Sequence, residues 1–199
     1  MPLQVQDVDF TDGHALTHVV VESFYDDALQ LSLFPGMSKE KKLQGVVDTE
    51  TGETVSYAAW PFGNTDVGGR LRKVSGWPEG LVVEPSGTPE GLNDELATDY
   101  SNRLTSFRAE KLPERPYLHL RMMGTLPSHR GRGAGSLHLK WGTEVADREG
   151  LVCSVDSSPM SVSLYEKFGF KAVGTVVVDL TESSGTYTFT VMIREPQGP

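Results

Sequence analysis

The sequence predicts a mixed α/β domain, and three observations carry that reading. Residues 117–126, 135–149, 151–155 and 159–168 run strand, helix, strand, helix. Strand–helix–strand order implies a parallel pair joined by a right-handed crossover. Residues 173–180 and 187–194 then flank Thr-Glu-Ser-Ser-Gly as an antiparallel hairpin, with Tyr187, Phe189, Val191 and Ile193 on one face. The sheet is therefore mixed.

The remaining elements follow in chain order. Residues 3–8 alternate apolar and polar side chains as a strand does, and Asp12 follows as a helix N-cap before Ala15, Leu16, Val19, Val20 and Phe24 at helical spacing. Residues 23–37 read as a short second helix or a structured loop ending at Pro35-Gly36. Runs at 44–48 and 54–60 sit on either side of Thr51-Gly52, a tight-hairpin signal. Residues 68–94 are rich in Gly and Pro and read as a long surface loop. Helical spacing returns through Leu96, Tyr100, Leu104 and Phe107, and Pro113 and Pro116 close that element. Pro159 opens the last helix.

Composition bounds the function. With 199 residues, 38% hydrophobic and 23% charged, the chain is a globular protein and is expected to form one domain over 1–199. The formal charge of -9 repels a polyanion, which argues against nucleic acid as a partner. The same acid excess favours a cationic ligand if it surrounds a cleft, or serves solubility alone. One cysteine, Cys153, allows no internal disulfide and no thiolate zinc site, so no metal is expected. The N-terminus lacks a basic start and an apolar block, and no apolar run approaches the ~20 residues of a membrane span, so a cytoplasmic protein without membrane contact is expected.

The chemistry-bearing segment lies between the strand at 117–126 and its helix. Gly131, Gly133 and Gly135 alternate with Arg130, Arg132, Ala134 and Ser136 just before Leu137, Trp141 and Val145 set a helical face. Such a turn aims unpaired backbone N–H groups and the positive end of a helix dipole at one point, where a diphosphate fits. Glycine lets phosphate oxygens approach without a Cβ in the way. The alternative is a connector that only turns the chain. No Walker loop occurs, and the position is wrong for a dinucleotide fingerprint.

Arg130-x-x-Gly133-x-Gly135 after a strand, with Leu164-Tyr165-Glu166-Lys167-Phe168-Gly169-Phe170 about 30 residues on, resembles the GNAT superfamily of acetyl-CoA-dependent acyltransferases. Matching sequence covers 117–174, and the Ser-x-Pro-x5-Tyr arrangement from Ser157 to Tyr165 is similar to puromycin-type and related small-molecule N-acetyltransferases. The resemblance implies a central mixed, splayed sheet of about six to seven strands flanked by helices, with the cofactor acetyl-CoA in the gap. It implies backbone bonds from Met123 and Thr125 to the pantetheine, and the diphosphate on Arg130, Gly131, Arg132, Gly133, Ala134, Gly135 and Ser136. Gly124 suits a bulge freeing an oxyanion donor, or serves sheet curvature alone. Ser158 stands where the family often has a cofactor-binding Asn.

By the same resemblance Tyr165 is the general acid for the departing thiolate, unless it is a packing tyrosine. Where many members place a Glu as base, this chain has His119, and strand alternation puts His119, Arg121 and Met123 on one face. A structural histidine, or a water chain ending at Glu22, Asp26 or Asp27, is the alternative. Cys153 reads as a buried small residue rather than a nucleophile. The acceptor pocket would come from residues 24–34, 60–64 and 181–186. There Phe24, Tyr25, Trp60 and Phe62 with Asp26 and Asp27 would suit a cationic, partly apolar small-molecule amine, or else the aromatics are core. A non-catalytic acyl-CoA-binding module and a protein or peptide N-acetyltransferase are the rival readings. The oligomeric expectation is monomer or homodimer.

Overall fold

The computed structural model describes residues 13–24, 26–33, 54–64, 91–180 and 185–198. The expected strands at 3–8 and 44–48, the Asp12 cap and most of the 68–94 loop lie outside those residues. The helices are α1 (Gly13–Phe24), α2 (Ala28–Leu33), α3 (Asp94–Lys111), α4 (Ala134–Glu149) and α5 (Val162–Glu166). The strands are β1 (Ser56–Ala59), β2 (Phe62–Gly63), β3 (Tyr117–Leu120), β4 (Met122–Thr125), β5 (Val152–Ser157), β6 (Lys171–Leu180) and β7 (Gly185–Arg194).

Several boundaries differ from the sequence reading, and the strand expected over 117–126 is split at Arg121 into β3 and β4. Asp94 is helical rather than part of the loop, because Asn93 caps α3 by accepting from the Leu96 N–H at 3.1 Å. Asp94 and Glu95 in its first turn and Arg108 and Lys111 in its last complement the helix dipole. The helix expected over 159–168 is regular only from Val162 to Glu166, with Ser161 at its N-cap and Pro159 in the preceding turn.

One sheet has the order β2-β3-β5-β7-β6, with β3 and β5 parallel and the other pairs antiparallel. A second pairs β1 with β4 alone. β1 to β2 and β3 to β4 are each nearly continuous, so the sheet divides part-way along one of its strands. Leu120↔Val155 is the last pair between β3 and β5, after which β4 leaves β5 and an opening widens between them.

Two apolar clusters cover the two faces. Leu118 and Leu120 of β3, Cys153 and Val155 of β5 and Met192 of β7 pack with Leu139, Val145 and Ala146 of α4. On the other face Val176, Val178 and Leu180 of β6 and Tyr187, Phe189 and Val191 of β7 pack with Leu96 and Leu104 of α3 and Leu29 and Leu33 of α2. The grouping of Tyr187, Phe189 and Val191 agrees with their period-2 spacing.

Trp60 belongs to the α4 side. Its ring packs against the first cluster and over Gly142, where a Cβ would overlap the indole. For Gly142→Ala, helix propensity would favour alanine by about 1 kcal/mol. Overpacking against a packed ring typically costs ~1–3 kcal/mol. The expected outcome is net destabilisation, read as a lower urea midpoint; an unchanged or higher midpoint would contradict this packing.

Candidate active site

The site begins with an extra residue. Phe62 pairs with Leu118, but three residues back along the partner Ala59 pairs with Met122, so the 118–122 side has one residue too many. Arg121 and Met122 both face Ala59: the Arg121 N–H donates to the Ala59 carbonyl at 3.0 Å, and Met122 is its register partner. This is a β-bulge, and it lies at Arg121 rather than at Gly124. It also reverses the side-chain phase, since one residue of slip exchanges the faces. His119 therefore points toward α3, whereas Met123 packs on the α4 side, and the expected shared face of His119, Arg121 and Met123 is not formed.

Beyond the bulge, even-numbered residues turn their backbone toward β1. The Leu126 N–H donates to Val55 at 3.0 Å, and Ser56 Oγ donates to the Gly124 carbonyl at 2.7 Å. Alternation then directs the N–H and C=O groups of Met123 and Thr125 into the opening beside β5. Gly124 serves close approach: a Cβ there would lie 2.7 Å from Ser23 Oγ and 2.8 Å from the Tyr57 ring, so α1 could not pack against β4.

The glycine turn sits at the end of that opening. Gly131 and Gly133 have φ of 75° and 90°, conformations that disfavour side chains, and a Cβ at either would meet nothing within 4 Å. α4 starts at Ala134 with no side-chain cap, and its first helical bond comes from the Leu137 N–H. The N–H groups of Ala134, Gly135 and Ser136 have no helical acceptor by geometry and face unfilled space. A diphosphate fits such a cradle. Arg130 lines it, yet its Nη2 donates to the Ser23 carbonyl at 2.9 Å and so braces the turn against α1. Arg132 is exposed and does not line the cleft.

One cleft of about 1730 Å³ connects these parts. Besides the turn and β4 it is lined by Ser158, Leu164 and Tyr165, and by the aromatic rings of Phe24, Phe62, Tyr100, Tyr117, Tyr187 and Phe189. Single small-molecule sites occupy roughly 300–1,000 Å³, so two ligands fit here. Tyr165 is 6% exposed, and burial pushes its phenol up to about 12, which keeps it protonated.

Several expected residues have other duties. His119 is 8% exposed; its Nε2 accepts from Arg108 Nη1 at 2.8 Å, which fixes the proton on Nδ1, 2.9 Å from Ser154 Oγ. Burial first, and the Arg108 charge second, push it down to about 3. Its lone pair is occupied, so it does not have the setting of a base. Asp27 caps α2, with Oδ1 accepting from Leu29 N at 3.0 Å and Gln30 N at 3.2 Å, and Oδ2 accepts from the Tyr187 hydroxyl at 2.9 Å. Asp26 lines the cleft and is exposed, Glu22 does not line it, and Tyr25 lies outside the described residues. Trp60 is absent from the lining. Cys153 is fully buried on the α4 side, with its thiol pushed up to about 12 by burial.

Sequence reasoning missed Arg108 and Asp156, which meet beside His119: Arg108 Nη1 donates to Asp156 Oδ2 at 3.1 Å. A charged residue in the otherwise small or apolar strand 151–155 and its continuation was the available signal.

The family model described as Acetyltransferase (GNAT) family matches residues 97–170. Over that span the chain matches a GNAT acetyltransferase domain. Solved structures agree in fold across the chain. A protein described as histone acetyltransferase HPA2 and related acetyltransferase, from Corynebacterium glutamicum, is 21% identical with a TM-score of 0.57, covering 100% of this chain and 99% of its own. A mosquito arylalkylamine N-acetyltransferase like 5b gives 11% and 0.60, and the Drosophila melanogaster polyamine N-acetyltransferase 16% and 0.55, each covering 96% of this chain and 98% of its own. At these identities the likeness establishes the GNAT fold. No helix among the described residues is long and apolar enough to cross a membrane.

A pH prediction follows from His119. Its folded pKa lies below its ordinary value of 6.5, so the unfolded chain binds the extra proton, and the stability present above pH 6.5 is lost as pH falls toward about 3. The imidazole resonances should stay unshifted from pH 8 to 5 by NMR, and the loss of stability on acidification should be shallower in His119→Gln. A midpoint near 6.5 for His119 would refute this setting.

Proposed function

We propose that the protein transfers the acetyl group of acetyl-CoA to the primary amine of a small molecule, by direct attack on the thioester. The observation that supports this reading best is the continuity of the N–H cradle, the free backbone edge of β4 and the Tyr165 phenol along one cleft. The N–H groups from Gly133 to Ser136 would hold the diphosphate, and Met123 and Thr125 would pair with the pantetheine amides as an added strand does. When bound, acetyl-CoA supplies the activated acyl carbon. Ser158 stands at the mouth of the opening with its hydroxyl 3.2 Å from Ser161 Oγ, a shorter substitute for a longer amide.

Tyr165 would give its proton to the departing sulfur. A free thiol has a pKa near 8.5, but the same exclusion of water that raises the phenol also raises a thiolate beside it, so donor and acceptor stay matched. Cys153 is absent from the lining of the cleft, which supports direct attack over an acetyl-cysteine route.

The acceptor's body would lie among Phe24, Phe62, Tyr100, Tyr117, Tyr187 and Phe189, an aromatic enclosure suited to an amine with an apolar portion. Two of the similar folds are named for acetylating arylalkylamines and polyamines, which supports the small-amine class.

A free-thiol release assay with acetyl-CoA and a panel of polyamines, aminoglycosides and arylalkylamines tests the reading. At least one amine should raise turnover well above acceptor-free hydrolysis, and Tyr165→Phe should lower kcat by about 10²–10⁴-fold with CoA affinity unchanged. Tight CoA binding with no amine turned over would instead mark a binding module. Full activity in Tyr165→Phe would remove the phenol from the mechanism.

A further inference from the structure

Four carboxylates line the cleft among the described residues: Asp26, Asp27, Glu114 and Asp156. Asp26 and Glu114 are exposed, and both oxygens of Asp27 are committed to the α2 amides and Tyr187. Asp156 differs. It follows Val155, the last β5 residue paired with β3, and so stands where the sheet has opened. Its side chain is 11% exposed. Oδ2 accepts from Arg108 at 3.1 Å and lies 3.7 Å from His119 Nε2, while Oδ1 is buried with no partner among the described residues.

The surroundings define what would complete it. From α3 comes Arg108, whose Nη1 is already shared between Asp156 and His119. From β3 comes His119, neutral and anchored on Ser154; Arg121 adds positive charge at the bulge, felt at His119. From β7 the register neighbour is Val191, which is apolar. One carboxylate oxygen is left without a donor, on a residue that lines the cleft together with several aromatic rings. A cationic N–H donor answers both its charge and its missing hydrogen bond. A carboxylate ligand would meet an anion, and an alcohol would bring a single neutral donor.

We propose that Asp156 Oδ1 receives the acceptor's ammonium group and takes one of its protons, with Arg108 and His119 acting as positioning residues that fix the carboxylate. The proposal rests on the acetyl-transfer reading above. An N–H bond breaks, an O–H bond forms at Oδ1, and the nitrogen keeps the electron pair with which it attacks the acyl carbon. Asp156 then releases that proton to water. The second N–H proton, lost as the amide forms, replaces the one Tyr165 gives to sulfur.

The test uses the full chain and an amine turned over in the panel assay. Asp156→Asn keeps the shape and removes the charge. At pH 7 its kcat/KM for the amine should fall at least 100-fold and recover at least tenfold near pH 10, where the free amine is abundant. CoA affinity should stay within twofold of the parent. An unchanged kcat/KM and pH profile would overturn the proposal, as would a parallel loss of CoA binding, which marks a structural tether.

Should Asp156→Asn not fold, calorimetry on the CoA-saturated parent decides. Phenethylamine should bind at least tenfold tighter than 2-phenylethanol at pH 7, and equal affinities would overturn the assignment. Failure of every amine in the parent protein sinks the acetyl-transfer reading, whereas turnover by the parent with an unaffected Asp156→Asn sinks this assignment alone.

Discussion

Opposite Ala59 the chain offers two residues, Arg121 and Met122, where an unbroken ladder has room for one, and the cleft follows from that surplus. A bulge bends its strand and adds local twist. Here the bend carries β4 away from β5 and leaves it paired with β1 only. One edge of β4 then has backbone N–H and C=O groups facing a gap, and each such group, if buried and unpaired, costs about 1–3 kcal/mol. Water or an extended ligand must satisfy them. The same slip turns His119 to one side of the sheet and Met123 to the other, so a single inserted residue sets both the shape of the opening and the side chains on each wall.

A wedge opened in a sheet needs props, and the chain supplies them from both sides. α1 reaches β4 because Gly124 has no side chain, and Arg130 then joins the glycine turn to the last turn of α1 through the Ser23 carbonyl. Behind β4, His138 of α4 sits 3.0 Å from Ser56 Oγ, which donates to the Gly124 carbonyl and lies 3.0 Å from Thr125 Oγ1. These bonds hold the β1-facing groups of β4. They leave its opposite edge for whatever enters the gap.

The parts legible in the sequence are those written in local spacing. Gly131, Gly133 and Gly135 announce an N–H cradle, the helical periods around Leu104 and Val145 place α3 and α4, and Tyr165 falls within a motif of contiguous residues. The parts that were not legible depend on register between distant segments. The bulge is a relation between residue 59 and residues 121–122, and alternation alone put His119 and Met123 on one face. Trp60 looks like an acceptor wall until Gly142, 82 residues on, is seen to make room for its ring. Asp27 reads as a free anion because its partner, Tyr187, comes from the last strand. Asp156 and Arg108 carried no motif, and only the meeting of α3 with β5 gives them a joint role.

Burial acts in one direction on Tyr165, His119 and Asp156: it favours the neutral form. For Tyr165 and His119 the result is a protonated phenol and an uncharged imidazole. For Asp156 burial alone raises the pKa, and the Arg108 charge opposes it. The guanidinium thus has a purpose that its sign obscures. Next to a site proposed for an ammonium it looks repulsive, yet it opposes the effect of burial on the carboxyl and so favours the ionised form that an ammonium pairs with. Because Nη1 of Arg108 donates to Asp156 Oδ2 and His119 Nε2 together, its hydrogen bonds engage one oxygen of the carboxylate and leave Oδ1 without a donor.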